Sequence, residues 1–295
     1  MPGTSYDGPI LDAHIHLWDY ASATHPWLSQ DGLETLRRDH LPSDYLQLAG
    51  PCGVTASVHV ETGRPPVESV AETNWLAGLN LPIGVGDRIV AHIALNDAEA
   101  ERLMEEQAGF ERVVGIRDIL TWHPDPSLSR VKSRDHMDGP IWRKNFGLLA
   151  RFSLSFDLLM SPWQAADAHR LALDHPDTVI AINHCGSPFD RDAEGMARWR
   201  EGLRLLASAP NVVIKISDPV AYDPQWTTAS LSEVILTCVE TFGPARAMFA
   251  SDYPVSGLHI GFGEWVDVIS MAVASLSADE QRAVFHDTAA RVYRF

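Results

Sequence analysis

Short apolar runs alternate with amphipathic stretches about eight times along the chain, and that alternation narrows the fold more than any other feature. Eight candidate strands cover residues 10–17, 55–61, 89–95, 113–119, 154–159, 178–184, 212–217 and 247–252. Each is rich in apolar or β-branched residues and bounded by Gly, Pro, Asp or Asn. Between them, residues 67–79, 98–108, 141–152, 163–174, 193–209, 230–242 and 262–276 carry apolar side chains at helical spacing. Ser277 to Glu280 reads as a capping box opening a last helix. Repeated strand–helix alternation implies parallel βαβ units. Eight units in 295 residues match a single (β/α)8 TIM barrel spanning 1–295. A doubly wound open sheet would usually bring a glycine-rich phosphate loop after its first strand, and the residues after Leu17 contain none. The polar stretch 121–140, with Arg130, Arg134 and His136, reads as a long loop after the fourth strand.

Composition removes several function classes. At 45% hydrophobic and 21% charged, the chain has enough apolar surface for a core. Cys52, Cys185 and Cys238 are too few and too far apart for a disulfide scaffold. No apolar run reaches the roughly 18 residues of a membrane span, so no membrane partner is expected. The segment from Met1 to Gly8 has neither the basic nor the apolar part of a secretory signal, so a cytoplasmic setting is expected. A net charge of −16, from 23 basic and 39 acidic residues, argues against a nucleic-acid partner. Only Lys132, Lys144 and Lys215 are lysines. Arginine on an acidic background suits bidentate carboxylate binding, and codon bias explains it equally well.

Side chains alternate along a strand, and in a barrel the outward set packs on helices. Taking the apolar set as outward turns Asp12, His14 and His16 inward on the first strand. The same rule turns in Ser57, His59 and Glu61 on the second, His92 on the third, Arg117 on the fourth and Asp157 on the fifth. His184, Lys215 and Ser217 follow on the sixth and seventh, and Asp252 ends the eighth. Each alone is readily a satisfied core residue. Convergence of several on one rim is harder to explain that way, because buried charges are costly unless paired or metal-bound.

His14-Ile-His16 closes the first strand, and residues i and i+2 share a strand face. Two imidazoles so placed can hold one ion, and zinc or manganese accepts imidazole and carboxylate together. Joined to His184 in Asn183-His-Cys-Gly186 and to Asp252 in Ser251-Asp-Tyr-Pro254, the pair becomes a specific signal. Gly115-Ile-Arg-Asp118, Asn211-Val-Val-Ile-Lys-Ile-Ser217 and the ending from Phe285 to Arg294 belong to the same pattern.

This set resembles the amidohydrolase superfamily, and most closely its branch of sugar-acid and muconolactone lactonases, pyrone dicarboxylate lactonase and non-oxidative decarboxylases. The likeness runs over nearly the whole chain and implies the barrel fold. It also implies a mononuclear site of His14, His16, Asp252 and His184 for one divalent ion, Zn2+ or Mn2+. Arg117 stands where metal-rich members carry a bridging lysine on the fourth strand, and Asp157 where many carry a fifth-strand histidine. A binuclear centre is therefore not expected, and a metal-free site stays open.

The function expected is hydrolysis of a carboxylated lactone of sugar-acid, muconate or pyrone type. Asp252 would be general base, with His184 and Lys215 as further catalytic groups. Arg117, Arg130, His59 and Asp157 would contact substrate, and His92 would make a core hydrogen bond. A metal-dependent decarboxylase is the alternative, weakened by the missing fifth-strand histidine. A non-catalytic small-acid binding protein is a third reading. The family also makes a homodimer a possible assembly. Cys185 beside His184 is not a nucleophile–base pair, since adjacent strand residues face opposite ways.

Overall fold

The computed structural model describes residues 6–295; residues 1–5, part of the segment read above for a signal, lie outside it. The apolar runs form eight parallel strands in sequence order: β1 (Ile10–Ile15), β2 (Val54–Val60), β3 (Arg88–His92), β4 (Val113–Ile119), β5 (Ser155–Leu159), β6 (Ile180–Ile182), β7 (Val212–Ile216) and β8 (Ala247–Phe249). Each pairs with the next. The ring closes beyond β8, where Ile15 bridges Tyr253 in parallel. At this seam the Asp252 N–H donates to the His14 carbonyl at 2.9 Å, and the His16 N–H donates to the Tyr253 carbonyl at 2.7 Å. The result is the expected (β/α)8 barrel.

Helices α1 (Pro42–Ala49), α2 (Ser69–Gly78), α3 (Ala100–Ala108), α4 (Pro140–Phe146), α5 (Ala165–Asp174), α6 (Ala193–Ala207), α7 (Thr228–Phe242) and α8 (Phe262–Ala272) follow the strands, with α9 (Ala278–Arg282) and α10 (Thr288–Tyr293) at the end. Ser277 caps α9 through Glu280, as the sequence pattern requires. The stretch 121–140 connects β4 to α4 and contains two short helical turns. Among the described residues, no helix is long and apolar enough to cross a membrane.

Two apolar layers hold the barrel. The outer layer packs Ile10, Ile89, Phe156 and Ile214 of the strands against Trp142, Trp199 and Trp265 of the helices. Each fully buried side chain of this size contributes roughly 1.5–3 kcal/mol. The inner layer joins Leu11, Ala13, Val58, Val90, Val213 and Met248 from different strands. Val292 and Tyr293 of α10 belong to it, so the last helix stoppers one end of the barrel.

This layering corrects the inward list on two strands. On β1 and β2 it is Leu11, Ala13, Val58 and Val60 that face the interior. Asp12 turns out to the Tyr45 hydroxyl of α1, which donates to it at 3.0 Å. Ser57 donates to the Gly84 carbonyl, and His59 faces Glu72 of α2. Both faces of a parallel barrel strand are buried, so apolarity alone does not say which face is which. A register shift between Asp12 and Ile15 then turns His14 toward the rim beside His16. Arg117, Asp157 and Lys215 do face inward, as the alternation predicts.

Candidate active site

Three ligand-type atoms meet at the seam. His14 Nε2 and His16 Nε2 lie 3.2 Å apart, and Asp252 Oδ1 lies 3.3 Å from the first and 3.2 Å from the second. All three side chains are buried. His16 Nδ1 donates to the Val60 carbonyl at 2.7 Å, which leaves its Nε2 as an acceptor. His14 has Lys215 Nζ 3.5 Å from its Nδ1 and Arg117 Nη1 3.4 Å from its Nε2. Burial, with Lys215 beside it, pushes the His14 pKa well below the usual imidazole range. Burial pushes the Asp252 carboxyl up, but His184 and His16 more than offset this and leave it below the ordinary carboxylate value.

A single proton bridges two of these atoms; one cation can join all three. Zinc bonds to nitrogen and carboxylate oxygen run about 2.0–2.2 Å, and a tetrahedron of such bonds has edges of about 3.3–3.5 Å. The triangle in the protein has edges of 3.2 to 3.3 Å. The donor set and its spacing therefore fit one divalent ion held by His14, His16 and Asp252. His184 stands beside this triangle rather than in it: its ring centroid is 4.9 Å from that of His14, and its Nδ1 pairs with the Ser217 hydroxyl at 2.9 Å. Burial lowers the His184 pKa to about 4, against the pull of Asp252.

Backbone strain gathers at the same rim. His184, Asp218 and Asp252 follow β6, β7 and β8, and all three have left-handed φ, at 49°, 45° and 57°. Such conformations cost on the order of 1–3 kcal/mol each and concentrate where the surroundings impose them. The turns carry the three side chains over the barrel mouth. Asp218 is the functional candidate the sequence reading passed over. It is 4% exposed, and burial, then the neighbouring Asp252 carboxylate, raises its pKa well above the usual range. Its position just past the end of β7 mirrors that of Asp252 past β8, and this was the available signal.

The remaining expected site residues divide by depth. Arg117, Arg130, His184 and Asp252 line a cavity of about 400 Å3, with Asp218 and Tyr222 on the same wall. Arg130 is exposed and makes no ion pair among the described residues. Lys215 lies lower and is fully buried, 2.5 Å from Asp157 Oδ2, and it donates to the Ala13 carbonyl at 2.7 Å. Asp157 also accepts from Asn183 Nδ2 at 3.1 Å and from the Tyr293 hydroxyl at 2.9 Å. Neither lines the cavity, so the geometry gives Asp157 no path to a substrate. His59 is likewise off the cavity wall. Its Nε2 lies 3.2 Å from Glu72 Oε1, and its Nδ1 accepts from the Leu17 N–H at 3.3 Å. His92 Nδ1 pairs with the Arg117 carbonyl at 3.2 Å, the core hydrogen bond expected of it.

The chain is similar over nearly its whole length to several known proteins. A family model described as Amidohydrolase matches residues 11–295. A protein of Sinorhizobium fredii, named Uncharacterized protein y4mH, is 32% identical over 98% of this chain and 99% of its own length. L-fucono-1,5-lactonase of Burkholderia multivorans is 30% identical over 96% of this chain and 95% of its own length. The crystal structure of an amidohydrolase from Burkholderia multivorans with bound zinc has a TM-score of 0.84 to this chain at 28% identity, covering 98% of this chain and all of that one.

Proposed function

The chain belongs to the amidohydrolase family, and from that premise we propose that it is a hydrolase that opens a lactone by attack of water. The single observation behind this reading is the ligand-atom triangle of His14, His16 and Asp252, with His16 and Asp252 on the wall of an open cavity. The curated relatives that carry lactonase names, spanning almost the whole chain, support the reaction class. They favour a sugar-acid lactone within it.

His14, His16 and Asp252 would hold one divalent ion, zinc or manganese, with His184 adjacent. When bound, the ion would supply polarisation of the carbonyl and a lower pKa for water. Asp252, ionised at neutral pH, accepts the proton that water loses as its oxygen bonds to the lactone carbon. As the ring C–O bond breaks, Asp252 returns that proton to the leaving alkoxide. His184 stays neutral and borders the reacting water. Arg117 and Arg130 face the substrate oxygens. Lys215 and Asp157 act from below, fixing the strand that carries His14. His59 fixes the backbone at Leu17.

The test is acid release from a panel of aldonolactones, followed with a pH indicator, beside carbon dioxide release from aromatic acids. Ring opening of at least one lactone, lost in Asp252→Asn, is expected. Carbon dioxide without lactone consumption would replace this reading with decarboxylation. Tight binding of an acid with neither product would replace it with a binding protein.

A further inference from the structure

Arg117 has a nitrogen 3.4 Å from the His14–His16–Asp252 triangle, and one residue controls it. Its Nε donates to Glu61 Oε1 at 2.5 Å, and its Nη2 donates to the Glu61 main-chain carbonyl at 2.6 Å. Nε with Nη2 is the guanidinium edge that a carboxylate ligand would otherwise grip with two hydrogen bonds. Glu61 occupies it with its own side chain and backbone. The third nitrogen, Nη1, is left facing His14 Nε2 at 3.4 Å.

Glu61 is itself fixed. It sits one residue past β2, its N–H donates to the Val90 carbonyl at 2.9 Å, and its Oε2 accepts from the Gly63 N–H at 2.7 Å. Gly63 has φ of 71°, a left-handed turn that folds the loop back onto the carboxylate. Glu61 is 1% exposed and is not on the cavity wall, whereas Arg117 is. The pair is therefore a buried strut with one working end.

We propose that Glu61 is a positioning residue that locks Arg117 as the donor to the lactone carbonyl oxygen, and removes it as a clamp for substrate carboxylate. The proposal rests on the lactonase reading above. An oxyanion donor is effective when it is held in place before the reaction. Arg117 is so held, while Arg130 is exposed on a long loop and Lys215 is committed to Asp157 below the cavity. A water delivered from the triangle to a carbonyl carbon brings the carbonyl oxygen within about 3 Å of its neighbours there. Nη1 borders that space.

The experiment compares wild type, Glu61→Gln, Glu61→Ala, Arg117→Ala and the Glu61→Ala/Arg117→Ala pair on the best lactone, with inhibition by succinate measured in parallel. Glu61→Ala should lower kcat about 100-fold, the scale of a lost oxyanion donor, with KM within about threefold. Glu61→Gln keeps an acceptor oxygen and should recover about tenfold of that loss. The freed guanidinium edge should tighten succinate inhibition about tenfold in Glu61→Ala, and the double variant should lose this gain. A purely structural role for Glu61 predicts no such gain. If Glu61→Ala does not fold, Glu61→Gln decides alone, and an unchanged kcat overturns the proposal. Unchanged kcat in a folded Glu61→Ala, or a fall in kcat without the succinate gain, overturns it too. A wild type that opens no lactone removes the functional reading and this proposal together. Turnover by wild type with indifferent Glu61 variants removes this proposal only.

Discussion

The interior of the barrel and its rim both bury charge, and they treat it in opposite ways. Inside, Lys215 and Asp157 pair with each other and with Asn183, Tyr293 and the Ala13 carbonyl, and Asp157 has a partner on each oxygen. At the rim, His14 Nε2, His16 Nε2 and Asp252 Oδ1 meet, and Asp252 Oδ1 is left without a hydrogen-bond partner. Buried polar groups are normally satisfied, since an orphan costs roughly 1–3 kcal/mol. A carboxylate with a partner on each oxygen, as Asp157 has, is therefore support, and the unpartnered Asp252 Oδ1 at an open cavity marks a place for something else to bind.

The rim should be the more sensitive to chemistry. Asp252→Asn keeps the shape and removes the proposed base, so kcat should fall about 10³–10⁴-fold while circular dichroism and the melting curve stay near wild type. A folded variant within tenfold of wild type would take the base role from Asp252.

The interior should be the more sensitive to stability. Lys215→Met leaves Asp157 buried without its cation, and breaking such a pair should cost about 3–5 kcal/mol in urea unfolding. Lys215→Met/Asp157→Leu should recover most of this, because an apolar pair of similar size replaces the whole network. No recovery would mean that the interior works by more than charge pairing.

A bound ion should stabilise the rim and leave the interior network unaltered. Zinc or manganese at 100 times its dissociation constant should add about 2.7 kcal/mol, read as a higher melting temperature. A chelator should reverse the gain, and His14→Ala/His16→Ala should abolish it together with the metal content by mass spectrometry. Equal gain in the double variant would put the ion elsewhere.

The smallest effect should come from His40, outside both regions. Its ring packs against Tyr253, and burial, with Arg38 near, lowers its pKa to about 4. In the unfolded chain it takes a proton near pH 6.5, so stability is full above that pH and declines as pH falls toward 4. His40 alone should account for about 1 kcal/mol of loss between pH 7 and pH 5.5, and His40→Phe should flatten that part of the curve. An identical slope in the variant would assign the acid limb to other groups.

The strand order was legible because eight apolar runs were separated by helical periodicity. His14, His16 and Asp252 were legible because strand ends are where barrels keep reactive groups. Which face Asp12 and His59 occupy was not, since Leu11 and Val58 are as apolar as any outward residue and only the closed ring distinguishes inside from outside. Depth was also hidden. Asp157 and Lys215 point inward as read, but nothing in their spacing says that Tyr293 plugs the barrel beneath them. Asp218 escaped notice because its left-handed turn, not its strand register, brings it to Asp252.

The seam has a consequence for the life history of the molecule. His16 and Tyr253 meet across it through a main-chain hydrogen bond, and they come from the first strand and from just beyond the last. Synthesis runs from the amino end, and the ribosome releases the histidine pair long before Asp252 exists. A nascent chain therefore carries two thirds of the triangle through most of its elongation and has no complete triangle until the eighth strand docks. Hydrolytic competence would then arrive in one late step, coincident with ring closure. A chain stalled or clipped short of that step would be silent rather than partly active.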